Sequence, residues 1–117
     1  MKYMLLIYGD PTKEPKPNTA EFGEMMAGYQ AASKKMQADD VMLAGDGLQE
    51  VDTATSLRIK SGKVETMDGP FAETREYLGG YYLIDVENLD KALEYAALIP
   101  HANYGMIEVR PVMVYDF

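Results

Sequence analysis

The stretch TMDGPFAETREYLGGYYLIDV, residues 66–86, decides how the rest of the chain is interpreted. Asp68-Gly69-Pro70 is a turn signal, because Gly and Asp accept backbone angles that other residues resist and Pro fixes its own φ. A cluster of charged residues follows, and the stretch ends in a predicted strand, Tyr77–Val86. An acidic loop next to an apolar strand predicts a pocket.

Length and composition narrow the class of protein. A chain of 117 residues predicts a single domain, residues 1–117, and 47% apolar with 26% charged residues is typical of a soluble globular protein. The absence of cysteine excludes disulfides and thiolate chemistry, and it fits a cytoplasmic protein. The net charge of −8, with no cluster of Lys and Arg, predicts no nucleic-acid binding. No apolar run reaches the ~18 residues of a membrane span, so we expect no membrane insertion.

Hydrophobic periodicity predicts the order strand, helix, strand, hairpin, strand, helix, strand. Ser61-Gly62 is a two-residue hairpin signal between the arms of the hairpin. A stripe at helical spacing predicts core packing along the first helix: Phe22, Met25, Met26, Tyr29, Ala32 and Met36. The predicted segments are a strand at Lys2–Tyr8, a helix from Asn18 or Thr19, a strand at Val41–Leu48, hairpin arms at Thr55–Lys60 and Lys63–Met67, a strand at Tyr77–Val86, a helix capped by Asn88 that ends before Pro100, and a strand at Met106–Val114.

This order predicts an α+β fold, a ferredoxin-like split βαβ subunit with an extra hairpin. Because crossover connections are right-handed, both helices are expected on one face of the antiparallel sheet. Lys2–Tyr8 and Tyr81–Val86 are nevertheless apolar on both faces. A second copy of the chain would cover the open face, so we predict a homodimer whose two sheets pack face to face. A small-molecule ligand could then occupy the space between the sheets.

Polar residues on the strands are candidates for ligand binding. Glu108 and Arg110 alternate with apolar neighbours, so they are expected to point toward the space between the sheets, where they either contact a ligand or pair with each other. Arg58 could hold a carboxylate or phosphate, or could serve as a salt-bridge partner. Tyr81 and Tyr82 occupy adjacent positions, so one is expected in the core and the other in the wall of a pocket.

Asp68 and Glu73 are the candidate catalytic residues. Two carboxylates close together would raise one pKa into a range suited to acid–base chemistry. Asp68 could instead only shape its turn, and Glu73 could pair with a neighbouring Arg. The one histidine, His101, lies in a predicted loop and is expected to be solvated. One His and scattered carboxylates predict no metal site, and no phosphate-binding glycine motif is present, so no cofactor is expected.

Three segments resemble the DGPF-type branch of the YCII-related proteins: Thr53-Ala-Thr-Ser-Leu-Arg58, the stretch from Asp68 to Asp85, and Ile107-Glu-Val-Arg-Pro111. The resemblance spans essentially the whole chain and implies a dimeric α/β barrel of ferredoxin-like subunits. The wider group carries a His–Asp pair proposed to be catalytic, but His101 does not stand where that histidine is expected. The pair is therefore not transferred to this chain.

Two functions remain open at this point. The first is a small-molecule-binding protein or cofactor-independent enzyme, with proton abstraction or isomerisation as its chemistry. The second is a non-catalytic ligand sensor or protein-interaction module in a regulatory pathway. The second follows from the resemblance, since members of this branch resemble proteins encoded near alternative sigma factors. Convergence of polar residues in a cavity favours the first function, and their dispersal over an exposed face favours an interaction surface.

Overall fold

The computed structural model describes residues 1–71 and 75–117. The segments follow the predicted order, with small differences at their ends. Thr19, rather than Asn18, caps the first helix, and its hydroxyl accepts a hydrogen bond of 3.2 Å from the amide of Phe22. The elements are β1 (Lys2–Gly9), α1 (Ala20–Ala38), β2 (Met42–Gly47), β3 (Thr55–Lys60), β4 (Lys63–Asp68), β5 (Tyr77–Asp85), α2 (Leu89–Ala96) and β6 (Gly105–Pro111).

Four strands form one antiparallel sheet in the order β2-β5-β1-β6. This order and the two helices confirm the predicted ferredoxin-like α+β fold. Both helices pack on the same face of the sheet. The core lies between them and the strands, and it combines side chains from one face of the strands with small residues of the helices. The largest fully buried side chains are Leu5, Met36, Ile84 and Ile99.

A β-bulge in β5 changes which face its side chains occupy. Ile7 pairs with Gly80, whereas the next residue, Tyr8, pairs with Leu78, so Gly79 is one extra residue on β5. A bulge of this kind re-aims the side chains beyond it, and Tyr77 therefore lies on the helix-covered side of the sheet with Tyr82. Gly80 has to be a glycine, because a Cβ there would lie 2.8 Å from the backbone oxygen of Asp46.

The opposite face of the sheet is left partly exposed by the described residues, 1–71 and 75–117. Met4, Leu6, Tyr8 and Leu83 alternate with the core residues of β1 and β5 and remain partly exposed. On β6, Ile107 and Val109 pack against the core as predicted, so Glu108 and Arg110 belong to the open face. The predicted homodimer would cover this face, and it stays a prediction.

The hairpin, defined as β3 and β4, forms a separate two-stranded sheet. Its turn residues Ser61 and Gly62 have φ angles of 52° and 76°, which confirms the predicted two-residue turn and matches the type that suits the twist of a hairpin. Apart from Ser56, every side chain of the two strands is exposed. The radius of gyration is 16.2 Å, compared with roughly 13 Å for a compact chain of this length. The hairpin therefore projects from the main sheet.

Candidate functional site

A cavity of about 490 Å³ lies between α1 and the helix-covered face of β1, β2 and β5. This volume falls within the range that binds drug-sized molecules. It differs from the predicted location, because it lies on the helix side of a single chain and not in the space between two sheets. Its apolar wall consists of Ile7, Phe22, Met25, Met26, Met42 and Leu48.

The stripe of α1 therefore has two functions. The prediction of core packing is confirmed for Met25, Ala32 and Met36, which are buried. Four members of the stripe also line the cavity: Phe22, Met25, Met26 and Tyr29. Periodicity marks the apolar face of a helix, but it does not distinguish a wall in contact with protein from a wall around a cavity.

Four polar side chains form a continuous row in this cavity, which we call the Glu14 cluster: Tyr77, Glu14, His101 and Tyr29. The hydroxyl of Tyr77 donates a hydrogen bond of 2.7 Å to Oε2 of Glu14. The same oxygen lies 3.5 Å from Nε2 of His101. The other ring nitrogen, Nδ1, is hydrogen-bonded to the hydroxyl of Tyr29. A carboxylate, an imidazole and two phenols are thus linked in one continuous series of contacts.

The loop after β1 positions the carboxylate of this cluster. Asp10 is buried at the end of the strand, and its carboxylate accepts hydrogen bonds from the amide and hydroxyl of Thr12, at 2.9 and 2.7 Å. These two bonds lower the pKa of Asp10, with smaller contributions from Lys13 and Arg75. The backbone oxygen of Asp10 then accepts from the amide of Glu14 at 3.1 Å. Asp10 therefore sets the turn that brings Glu14 to the cavity.

His101 is buried, so the prediction of a solvated loop histidine is wrong. Only 8% of the residue is exposed, and it lies in a short 3₁₀ helix, Pro100–Ala102, that follows the fully buried Ile99. A Cβ at Gly28 would lie 2.8 Å from Pro100, which shows how closely this turn packs on α1. The signal in the sequence was Gly28 itself: a glycine in mid-helix allows close approach of another segment, and that approach places His101 beside Tyr29.

Burial controls the two phenols of the Glu14 cluster. The pKa of Tyr29 is raised well above its ordinary value, first by burial and then by the nearby Tyr82, Glu14 and Tyr77. The pKa of Tyr77 is also raised, first by burial and then by its hydrogen bond to Glu14. Both residues are therefore protonated donors at neutral pH. In the tautomer of His101 that carries its proton on Nε2, facing Glu14, Nδ1 accepts a hydrogen bond from the hydroxyl of Tyr29.

Two of the residues selected from the sequence line the cavity. Tyr82 is buried, and its hydroxyl is hydrogen-bonded to that of Ser33 at 2.6 Å. Tyr81 donates a hydrogen bond of 2.8 Å to Asp46 at the edge strand β2, and this bond raises the pKa of Tyr81. Tyr82 is buried and Tyr81 is partly exposed, and the expectation that one of the pair lies in the core and the other in the wall of a pocket between the sheets stays a prediction.

The other selected residues do not lie at the cavity. Asp68 is exposed at the end of β4, and Arg58 lies over the ring of Phe71 on the hairpin, 5.2 Å from its centroid. Glu108 and Arg110 are bonded to each other on the open face of the sheet. Glu73 lies outside the described residues. These residues were selected from the sequence because they are charged. In the structure, the polar residues that come together in the Glu14 cluster are buried or partly buried.

Two features are absent from the described ranges, 1–71 and 75–117. They contain no group of three His, Cys, Asp or Glu side chains arranged to hold a metal ion. They also contain no helix with the length and apolarity that crossing a membrane requires.

Comparisons with known proteins agree with this architecture. An uncharacterised protein of Rhizobium meliloti (strain 1021) is 36% identical over 117 residues, covering 98% of this chain and 94% of the relative. Among solved structures, 5-chloro-2-hydroxyhydroquinone dehydrochlorinase (TftG) from Burkholderia phenoliruptrix AC1100, in complex with 2,5-dihydroxybenzoquinone, matches with a TM-score of 0.53. That match covers 97% of this chain and 94% of the other at 9% identity, so it shows the fold alone. The family model of the YCII-related domain matches residues 1–116, and the chain therefore belongs to the YCII-related family.

Proposed function

We propose that this protein binds a small molecule in the cavity beneath α1 and catalyses a proton transfer on it without a cofactor. The observation that carries the proposal is the Glu14 cluster. A carboxylate, an imidazole and two protonated phenols line one cavity and contact one another in sequence. Groups of these types, held within hydrogen-bonding distance of a substrate, are the usual components of general acid–base catalysis.

The chemistry that fits is the movement of one proton within a substrate. Substrate binding turns the O–H of Tyr29 from Nδ1 of His101 to the carbonyl oxygen of the substrate, so that Nδ1 is free to take a proton from the carbon next to the carbonyl group. The electrons of the broken C–H bond move onto the carbonyl oxygen, and the hydroxyl of Tyr29 donates a hydrogen bond to that oxygen as its negative charge develops. Return of the proton to the same or to another carbon restores the carbonyl, so exchange or isomerisation needs no oxidant and no second substrate.

The structural neighbour supports the proposal only through its fold. TftG is described as a dehydrochlorinase and its structure holds 2,5-dihydroxybenzoquinone, a small cyclic ligand. A similar backbone arrangement therefore accommodates a ligand of this size. The reaction itself is not transferred, because one fold supports many unrelated activities.

The proposal includes the homodimer and a cytoplasmic location. The partly exposed apolar residues of the open sheet face support a homodimer, since a second copy would bury them. Size-exclusion chromatography with light scattering at micromolar concentration tests it, and a monomer would contradict it. The absence of cysteine is compatible with a reducing compartment.

Deuterium exchange tests the acid–base function. A thermal-shift screen of a metabolite library first identifies ligands. Each ligand with a carbonyl group, together with 4-hydroxyphenylacetone as a fixed probe, is then incubated with the protein in D₂O, and loss of the adjacent C–H signal is followed by NMR. We expect catalysed exchange that falls by about 100-fold or more in His101→Gln, since general acid–base groups contribute 10²–10⁴.

The matched control is Glu65→Gln, which removes a carboxylate from the exposed hairpin and is expected to exchange at the wild-type rate. Each variant is also checked by thermal unfolding, so that a loss of activity can be separated from a loss of fold. Catalysed exchange that is equal in wild type and His101→Gln would contradict the proposal. Binding without any exchange would leave the alternative function, a non-catalytic ligand sensor.

An interaction module is the second candidate, and the hairpin favours it. Leu57, Ile59 and Val64 are more than 60% exposed there, next to the charged Arg58. Two polar candidates from the sequence, Arg58 and Asp68, thus lie on a projecting surface. The Glu14 cluster converges in a cavity instead, and for this reason a ligand-binding function is proposed first.

A further inference from the structure

The cavity is lined by carboxylates and contains no Lys or Arg side chain, and the imidazole of His101 in its wall already lies beside Glu14. All 11 Lys and Arg residues belong to the described part of the chain, and none of them lines the cavity. Three acidic residues do: Glu14 in the interior, the exposed Asp46 in the edge strand β2, and the exposed Glu50 in the segment after that strand. Lys13 and Arg75 act on Asp10, outside the lining. A ligand in this cavity therefore has no Lys or Arg side chain to pair with.

The pKa values of two phenols in the cavity wall indicate how favourable this environment is for an anion. Ionisation of Tyr29 or Tyr77 would place a phenolate there, and the pKa of each is raised. Burial is the main cause in both, and negative neighbours add to it: Glu14 acts on Tyr29, and both Glu14 and Glu50 act on Tyr77. The same two costs, desolvation without a compensating charge and repulsion by carboxylates, would apply to an anionic ligand.

The apolar part of the cavity wall determines which ligand skeleton fits. Phe22, Met25, Met26 and Met42 surround the space with an aromatic ring and polarisable thioethers, which make favourable contacts with flat aromatic groups. Glu14 offers an acceptor, and its second oxygen, Oε1, is a buried atom with no hydrogen-bond partner among the described residues. A donor on the ligand would complement this carboxylate.

We infer that the cavity takes an uncharged or cationic ligand with a flat apolar body and a hydrogen-bond donor, and that it excludes anions. The inference rests on the proposed function, because it assigns the substrate class of the same site. It differs from the expectation from the sequence that Arg58 could hold a carboxylate or phosphate, since Arg58 does not line the cavity.

Three probes that share a hydroxyphenyl group and differ in charge test the inference: tyrosol is neutral, tyramine is cationic and 4-hydroxyphenylacetate is anionic. Their dissociation constants are measured by NMR titration at low ionic strength. We expect 4-hydroxyphenylacetate to bind about tenfold or more weakly than tyrosol, because an unpaired anion is desolvated beside carboxylates. Tyramine should bind at least as tightly as tyrosol, and added salt should reduce the difference.

A charge-matched pair of variants assigns the effect to the cavity. Asp46→Asn with Glu50→Gln removes two charges from the lining and should bring the affinity for 4-hydroxyphenylacetate to within about threefold of that for tyrosol. Glu65→Gln with Glu87→Gln removes two charges elsewhere and should leave the ratio unchanged. Equal or tighter binding of the anion by the wild type, or no binding of tyrosol and tyramine, overturns the inference. Failure of the proposed acid–base function is distinguishable, because it shows as absent deuterium exchange while this order of affinities holds.

Discussion

The Glu14 cluster and the hairpin hold comparable sets of ionisable side chains in opposite environments. In the cluster, Glu14 and His101 are mostly buried, and their partners are fixed by packing between α1 and the sheet. On the hairpin, nearly all side chains of the two strands are exposed, although that segment ends in the more recognisable sequence, Asp68-Gly69-Pro70. A recognisable sequence motif and a preorganised site therefore need not coincide. Fixed geometry comes from burial and from partners that hold the side chain in place.

The largest expected difference between the two regions is in the cost of removing an aliphatic side chain. Leu5 is fully buried, whereas Ile59 on the hairpin is 67% exposed. Leu5→Ala should lower the free energy of unfolding by about 2–5 kcal/mol, and Ile59→Ala by less than about 0.5 kcal/mol. Urea denaturation measures both. A large loss of unfolding free energy in Ile59→Ala that depends on protein concentration would contradict this prediction, because it would show that the hairpin is covered by another chain.

The bulge that places Tyr77 in the cluster gives the next largest effect. A Cβ at Gly80 would lie 2.8 Å from the backbone oxygen of Asp46, whereas one at Gly47 would meet nothing within 4 Å. Gly80→Ala should destabilise the protein by about 1–3 kcal/mol, and Gly47→Ala should have little effect. Thermal unfolding compares the two. If both variants unfold at the wild-type temperature, the close contact of β2 and β5 does not hold the bulge in place.

Alkaline pH should also distinguish the cluster. The pKa values of Tyr29 and Tyr77 are raised in the folded protein, whereas tyrosines of the unfolded chain ionise near pH 10. Above that pH the folded state holds more protons than the unfolded state, so stability falls as pH rises. The contribution is complete below pH 10 and is lost as the pH approaches the raised values. Urea denaturation at increasing pH should give a shallower decline for Tyr29→Phe with Tyr77→Phe, and equal slopes would contradict the assignment.

The fold could be predicted because local signals and topology agree. Ser61-Gly62 has the composition of a hairpin turn, and the order of strands and helices permits few right-handed arrangements. The site could not be predicted in the same way. Glu14 lies in a loop with three prolines nearby in sequence, and His101 is 87 positions further along the chain (101 − 14). Their contact depends on how Gly28 lets one turn approach α1, which is a tertiary effect without a local pattern.

The bulge in β5 is a second feature whose consequence could not be predicted from the sequence. The Gly79-Gly80 pair is visible in the sequence, but a regular strand would place Tyr77 and Tyr82 on opposite faces, since five positions separate them (82 − 77). The extra residue Gly79 brings both to the helix-covered face. A glycine pair indicates an irregularity in a strand without stating which side chains it redirects.

The smallest expected effect is at Asp68, and it decides whether the hairpin keeps a place among the candidate sites. Its side chain is exposed at the end of β4 and does not line the cavity. Asp68→Asn should therefore change the free energy of unfolding by less than about 0.5 kcal/mol. A double variant, Asp68→Asn with Glu73→Gln, is measured beside it. The same variants are assayed for deuterium exchange beside His101→Gln. Loss of exchange at unchanged stability would show that these carboxylates take part in the chemistry, and because Asp68 does not line the cavity of its own chain, the active site would then require the hairpin of a second copy.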